Sequence, residues 1–409
     1  MSEPDKIELI LIKISGDDRP GVTAALAEIL SRHEAQILDI GQADIHHSLS
    51  LGILFRTTSE RSGDIMKDLL FKCYELNVKI RFSPISIEDY ESWVSRQGKN
   101  RWIITILGRQ LKAKHIALVT DEIARQQLNI DSIQRLTGRM PLSENEEPRS
   151  KACVEFSVRG NPLDVDTMRS RFLQISQAEE FDISLQEDNV FRRCRRLICF
   201  AMDSTLIETE VIDELADRAG VGQEVRAITE SAMRGEIDFC ESFRRRVALL
   251  KGLDESVMRE IAESLPITEG VERMMEVLKR TGYKTAILSG GFTYFGNYLK
   301  RRFGFDYVYA NELEIADGKL TGRFVGDIVD GKRKAELLRI IAQVENINIA
   351  QTIAVGDGAN DLPMLSTAGL GIAFHAKPKV KQTARQSIST IGLDGVLYFL
   401  GFKDSYILS

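Results

Sequence analysis

The sequence predicts an α/β protein in three parts: two successive small α+β units, then a larger domain built on a parallel sheet, with a helical insertion near its start. Three observations lead there. Over the first 190 or so residues, strand-like and helix-like segments follow one another in the order βαββαβ, and the order then repeats. From residue 197 onward, apolar strand-like runs alternate with helical ones, as a parallel sheet with helices on both faces requires. Three of those later runs end abruptly in polar residues, which places reactive side chains at the carboxyl ends of strands, where open α/β sheets bind ligands. At 409 residues the chain also exceeds what one hydrophobic core usually supports.

Taken in order, residues 7–14 run apolar in strand fashion, the turn GDDRPGV follows, and residues 23–37 carry apolar side chains at helical spacing. Strands are expected at 37–46 and 48–57, a helix at 63–76 and a closing strand at 78–87, which completes a ferredoxin-like unit. The second copy has strands at 102–107, 131–138, 151–158 and 181–186 and helices at 115–127 and 165–177. Polar stretches without periodicity at 92–100 and 187–196 read as linkers, which gives expected domains of 1–92, 100–189 and 195–409. In the first turn, Asp18 is placed to cap the following helix, Pro20 suits its first turn, and Gly21 opens backbone N–H groups to an anion at the positive helix end.

Both small units resemble the ACT family of amino-acid-sensing modules, and DRPGV at residues 18–22 is the first-turn motif of that family. The second copy reads GRQLKAKHI at the same point, a degenerate turn that can still contribute a wall to a shared site. The resemblance implies a free amino acid bound between paired modules near Asp18 and Gly21, with L-serine as the natural candidate, and a homodimer.

In the larger domain the first polar strand end is ICFAMDSTLIETE at 198–210. The second is KTAILSGGFTYF at 284–295, where Ser289 and Gly290 follow an apolar run and are expected to open a helix, a geometry in which a hydroxyl and backbone N–H groups hold an anion. The third is QTIAVGDGANDLPML at 351–365, where Asp357, Asn360 and Asp361 cluster on a glycine-rich turn and suggest oxygen ligands for a hard cation. Between the last two, DGKRKAELLRIIAQ starts a helix with Lys332 and Lys334. A hairpin, ELEIADGKLTGRF, turns at Asp317 and Gly318 and is expected to lie beside the site as a flap.

In this order and spacing the four stations resemble the haloacid dehalogenase superfamily, whose first signature is Asp-x-Asp-x-Thr. The frame here reads Ala201, Met202, Asp203, Ser204, Thr205. The resemblance covers about 210 residues and narrows to the phosphoserine phosphatases through VIDELADRAGVGQEV and ITESAMRGEIDFCESFRRRVALL, which look like the small helical cap of that family, here at about 210–269. It implies a Rossmann-like core, O-phospho-L-serine as substrate, L-serine as product, the last step of L-serine biosynthesis, and Mg²⁺ as cofactor. Carried over by position, residue 201 would be the nucleophile, and Asp203 would protonate the leaving serine oxygen and then activate water. Ser289, Gly290 and Lys334 would hold the phosphate, with Asn360 near Lys334 and Asp361 behind them. Mg²⁺ would be held by the carboxylate at position 201, the backbone carbonyl of Asp203 and the side chain of Asp357. Glu210 would face the substrate amino group and Arg246 its carboxylate, between walls of Met233 and Phe239.

The residue chemistry supports part of this independently. A zwitterion carrying a phosphate needs one anion, one forked cation and a phosphate cradle. Arg244, Arg245 and Arg246 project at about 100° intervals on a helix, so at most two turn inward.

Alanine at 201 supplies neither a nucleophile nor a metal ligand, so the chain as it stands is expected to lose turnover by several orders of magnitude and to bind Mg²⁺ more weakly. The intact remaining stations fit one Asp-to-Ala replacement in an otherwise complete enzyme. Two other readings stay open: a protein that keeps the fold as a sensor of serine or phosphoserine, and a phosphatase or phosphotransferase for another small phosphomonoester.

A net charge of −6 argues against a general nucleic-acid binder. The basic runs at 192–196 and 244–246 are expected as a solvated linker and a helix face. Five cysteines without a CxxC pair or metal-ligand spacing read as reduced thiols. With an acidic N-terminus and no apolar run near the ~18 residues of a membrane span, a cytoplasmic protein without a membrane partner is expected.

Overall fold

The computed structural model describes residues 6–95, 100–139 and 150–407. They fall into two compact units, Met1–Lys99 and Asn100–Ser409.

In the first unit, β1 (Ile7–Asp17), β2 (Gln36–Ile45), β3 (Ser48–Thr58) and β4 (Lys79–Ile85) form an antiparallel sheet in the order β2-β3-β1-β4. Alternation puts Leu49, Leu51, Ile53 and Phe55 of β3 on one buried face, where helices Val22–Arg32 and Ser59–Glu75 cover them with Leu26, Ile65 and Leu69. The second helix begins four residues before the expected start. Asp18 does not cap the first helix. The N-cap is Gly21, at φ +95° and without a side-chain cap, so the first free N–H groups lie beyond the reach of a side chain three residues upstream. The backbone N–H of Asp18 instead donates to the carbonyl of His47.

The second unit opens with the same pattern. Strands β5 (Arg101–Gly108), β6 (Asn129–Arg135), β7 (Ala152–Arg159) and β8 (Asp182–Glu187) pair antiparallel as β6-β7-β5-β8, with Ile104, Ile106 and Phe156 packed under helices Ala113–Arg125 and Val165–Glu179. Strand β6 ends three residues before the expected boundary. Residues 87–95 form a helix where a linker was expected to begin, and residues 96–99 and 140–149 lie outside the described residues.

The stretch 187–196 is also not a solvated linker. It carries a short helix, Val190–Arg193, and buries Arg192 and Arg195 to 7% and 8% exposure. The Arg192 guanidinium pairs with Glu155 at 2.8 Å, and that of Arg195 donates to Gln186 Oε1 at 2.9 Å.

The large sheet contains β9 (Leu197–Phe200), β10 (Lys284–Phe292), β11 (Tyr307–Ala316), β12 (Lys319–Val325), β13 (Thr352–Gly356), β14 (Leu370–Phe374) and β15 (Gln386–Ile388), in the order β12-β11-β10-β9-β13-β14-β15. All neighbours are parallel except β11 and β12. The chain leaves β9 to build β10 on one side and β13 on the other, so the carboxyl end of β9 is the topological switch point.

The second α+β sheet is joined to this one: Gln386 of β15 accepts from the N–H and donates to the carbonyl of Leu185 in β8, and buried Asp182 accepts from the N–H groups of Ser389 and Thr390. Arg109, in the degenerate turn, makes a two-pronged pair with Glu269 at 2.9 and 2.6 Å.

After β9 the chain enters an insertion of four helices, Val211–Ala219, Gly222–Met233, Phe239–Leu249 and Ser256–Glu263. Its entry and exit are tied by the Ile207–Ile267 bridge and by backbone bonds from Glu208 to Pro266 and from Thr268 to Leu206. The β11–β12 hairpin turns through Asp317 and Gly318, both with positive φ (50° and 72°). It is not a free flap. Leu320 exchanges backbone bonds with Gly252 and Leu253, and the ring of Phe324 packs on that of Phe243 at 5.3 Å, so the hairpin is a platform for the insertion.

Candidate active site

Strand β9 is four residues long and wholly buried between β10 and β13. Just beyond it, the N–H of Ala201 donates to Val355 O at 2.9 Å, which continues the ladder by one residue. The chain then turns tightly, with Met202 O accepting from the N–H groups of Thr205, Leu206 and Ile207 and with Ser204 at φ +55°. This turn gathers the polar side chains. Thr205 donates to Asp357 Oδ1 at 3.0 Å, Ser204 to Glu210 at 2.7 Å, and Asp203 Oδ1 accepts the N–H of Val211 at the start of the insertion.

From β10, Ser289 Oγ approaches Asp203 Oδ2 at 3.4 Å and accepts the N–H of Gly291 at 2.9 Å. Ser289 and Gly290 do not open a helix. Strand β10 continues past an irregularity after Leu288 to Phe292, which pairs with Asn311 of β11, and the helix starts at Thr293. Both glycines have steric reasons. A methyl at Gly291 would sit 2.4 Å from Asp203 Oδ2, and one at Gly290 would sit 2.9 Å from the ring of Phe239.

From β13 and the helix Gly331–Val344 come Asp357, Asp361 and Lys334. Lys334, 2% exposed, donates to Asp361 Oδ1 at 2.7 Å, while Asp361 Oδ2 accepts the N–H groups of Asp357 and Gly358. Lys332 lies at the exposed start of the same helix, whose N-cap Asp330 accepts the N–H of Arg333. Asn360 is partly buried on the same turn as Asp357, with its backbone carbonyl against Gly331.

Of the three consecutive arginines, Arg244 and Arg245 reach outward to Glu241, and Arg246 turns inward. Burial lowers the pKa of Arg246, against the charges of Glu210, Asp213 and Asp203 facing it. Met233 ends its helix 64% exposed, with Lys377 Nζ 3.8 Å from its sulfur.

Burial, with the charge of Glu210, pushes the Asp203 carboxyl up to about 7; burial, with the charge of Asp361, pushes Asp357 up to about 7. Such carboxyl groups resist ionising without a compensating cation. The oxygen donors present suit a hard cation. Among the described residues, however, no three His, Cys, Asp or Glu side chains group as a metal site, and position 201 has no carboxylate to add.

The sequence reading brought together Asp203, Ser289, Gly290, Lys334, Asp357, Asn360 and Asp361, and the structure places all of them at the carboxyl ends of β9, β10 and β13 or on the helix beside them. It missed Asn311. That side chain, 2% exposed, donates to the carbonyls of Gly290 and Gly291 and accepts the N–H of Val329, and so fixes the Ser289 loop. A lone amide in the middle of YVYANELEI was the available signal.

Three family models match the chain: an ACT domain over residues 8–83, an ACT domain over 101–186 and a haloacid dehalogenase-like hydrolase over 198–366. A phosphoserine phosphatase of Streptomyces coelicolor is 38% identical over 402 residues, 98% of this chain and 94% of that one. The chain belongs to the phosphoserine phosphatase family. A second family member, from Mycobacterium tuberculosis, is 39% identical over 97% of this chain and 94% of its own. Among solved structures, a probable phosphoserine phosphatase from Vibrio cholerae superposes with a TM-score of 0.57 at 35% identity, over 75% of this chain and 87% of that one. The family's hydrolase domain is here the seven-stranded sheet with its insertion, and its two ACT domains are the two βαββαβ units. No helix among the described residues is long and apolar enough to cross a membrane.

Proposed function

We propose that this chain is built to bind O-phospho-L-serine in the cleft at the end of β9, and that Ala201 leaves it unable to complete hydrolysis to L-serine and phosphate. The observation that supports this reading is the hydrogen-bonded set at the strand ends beside position 201: Thr205 to Asp357, Ser289 to Asp203 and Lys334 to Asp361. With aspartate at 201, that carboxylate would attack phosphorus to form an aspartyl-phosphate, and the raised pKa of Asp203 suits it to protonate the departing serine oxygen and then to deprotonate water. Ser289 Oγ, the N–H groups of the glycine loop and Lys334 would meet the phosphoryl oxygens, where fixed donors lower the barrier most.

Mg²⁺ is the cation we assign. Asp357 and the Asp203 carbonyl are its available donors, one carboxylate short at 201, and when bound it would neutralise charge on the phosphoryl group. Glu210 and Arg246 suit the amino and carboxylate ends of the substrate, Phe239 covers the glycine loop, and Met233 would complete the wall on closure of the insertion.

The test is release of phosphate from O-phospho-L-serine by the Ala201→Asp variant. A gain of roughly four or more orders of magnitude over the parent is expected. A parent that already turns over at the rate of ordinary enzymes, on the order of 10 per second, would overturn the reading. A silent variant that still binds phosphoserine tightly would instead favour a sensor, and selectivity for another phosphomonoester would change the substrate.

The proposed domains are 1–92, 100–189 and 195–409, in a cytoplasmic protein of the serine biosynthetic route. L-Serine at the Asp18 and Gly21 turn is the proposed effector. Exposed Ile37, Ile40 and Ile45 along β2 support pairing of two copies through the first unit.

A further inference from the structure

The second ACT domain and the hydrolase core enclose a cavity of about 410 Å³, away from the cleft described above. Its lining includes Trp102 of β5, Arg169 of the helix Val165–Glu179, Arg192 and Arg195 of the linking stretch, and Arg385 beside β15. Four buried N–H groups of these lining residues have no acceptor among the described residues: Trp102 Nε1, Arg169 Nε, Arg192 Nε and Arg195 Nε. Buried donors are nearly always satisfied, so four partnerless ones around one cavity call for a ligand that accepts hydrogen bonds.

Charge points the same way. Arg192 is paired with Glu155 and Arg169 with the exposed Asp166, while among the described residues Glu187 is the one acidic residue lining the cavity. Arg195 has no carboxylate within ion-pair distance among the described residues; its recorded partner is the neutral amide of Gln186. Burial and the adjacent Arg192 push its guanidinium down to about 10, as expected of a buried cation without a counter-ion.

We infer that this cavity is an oxyanion-binding site, which takes a small metabolite bearing phosphate or carboxylate groups between the second ACT domain and the hydrolase core. The volume lies in the range of small-molecule sites. Guanidinium groups recognise phosphate and carboxylate through paired N–H donors, and Arg169, Arg192, Arg195 and Arg385 line the cavity. The indole N–H of Trp102 supplies a further neutral donor. A ligand here would contact β5 and β8 of the sensor domain and the residues around β14 and β15 of the core at once, and would strengthen their attachment.

The chain has only two tryptophans, Trp93 and Trp102. In the full-length Trp93→Phe protein, emission therefore reports on Trp102 alone, separately from the catalytic cleft. Titration with inorganic phosphate, pyrophosphate and citrate is expected to give a saturable change for at least one of them, with a midpoint near or below ~1 mM. A phosphate or pyrophosphate response without one to citrate assigns the phosphate class, and the reverse assigns carboxylates. Arg195→Gln is expected to raise the midpoint by about tenfold or more, and Arg169→Gln, at a partly exposed position and safer for folding, by several-fold. The inference is overturned by the absence of a saturable response up to about 10 mM of all three anions. It is also overturned by a response that both folded variants leave unchanged.

Discussion

Replacing Lys334 with methionine removes a buried cation and leaves its partner behind. Both groups are 2% exposed at the side chain and meet at 2.7 Å. Breaking such a pair from one side costs about 3–5 kcal/mol, because the remaining charge is buried without compensation. The lower half of that range is expected, since Asp361 keeps two backbone donors, the N–H groups of Asp357 and Gly358. For a cooperative unit of about 300 residues this corresponds to a fall in Tm of roughly 5–6 °C. Calorimetry of Lys334→Met should show this drop, and the double variant Lys334→Met, Asp361→Asn should recover about half of it or more, because no isolated charge remains. A single variant that melts within about 1 °C of the parent, or a double variant no better than the single, would refute the claim that this pair is a fixed structural element beneath the site.

Three further outcomes follow from the geometry. In an Ala201→Asp background, Gly291→Ala should lower kcat by at least about tenfold with little change in Tm, since the new methyl would displace the Asp203 carboxylate; phosphate release and melting measured together check this. Asn311→Ala strands the carbonyls of Gly290 and Gly291 and the N–H of Val329, which should cost about 2–3 kcal/mol in urea unfolding and raise KM in the same background. Arg109→Met should destabilise the second unit by roughly 1 kcal/mol in the same assay, a modest figure because both Arg109 and Glu269 are about one-third open to solvent.

The order of elements was legible because strand and helix periodicities differ, and because the turn chemistry between them is local. The candidate site was legible for a related reason: Ala201, Ser289 and Asp357 each follow a short apolar run near the carboxyl end of a strand, and a parallel sheet brings such ends together. What stayed hidden depends on contacts between distant segments. Arg192 and Arg195 look like linker residues until Glu155 and Gln186, from β7 and β8, supply partners. Arg273, Asp394, Tyr398 and Asp404 form a polar cluster around the buried Asp394 and Tyr398, joined by Lys151 from the second ACT domain, that no spacing announces. Asp18 misled because a capping residue is recognised by type, whereas the helix start was set by the left-handed conformation of Gly21.

The short central strand has a consequence for how such a protein can be used and altered. Position 201 is fixed by its neighbours, through the backbone bond to Val355 and the ladders of β10 and β13 on either side, so the sheet decides where that Cβ points whichever residue occupies it. On the proposed function, recognition and turnover fall to different parts of the molecule. The frame would select and hold, and one displayed side chain would determine whether the guest is released intact or transformed. The alanine form would then serve as a capture reagent for the compound that the aspartate form would destroy, and one nucleotide change in an Asp codon suffices to pass from one to the other.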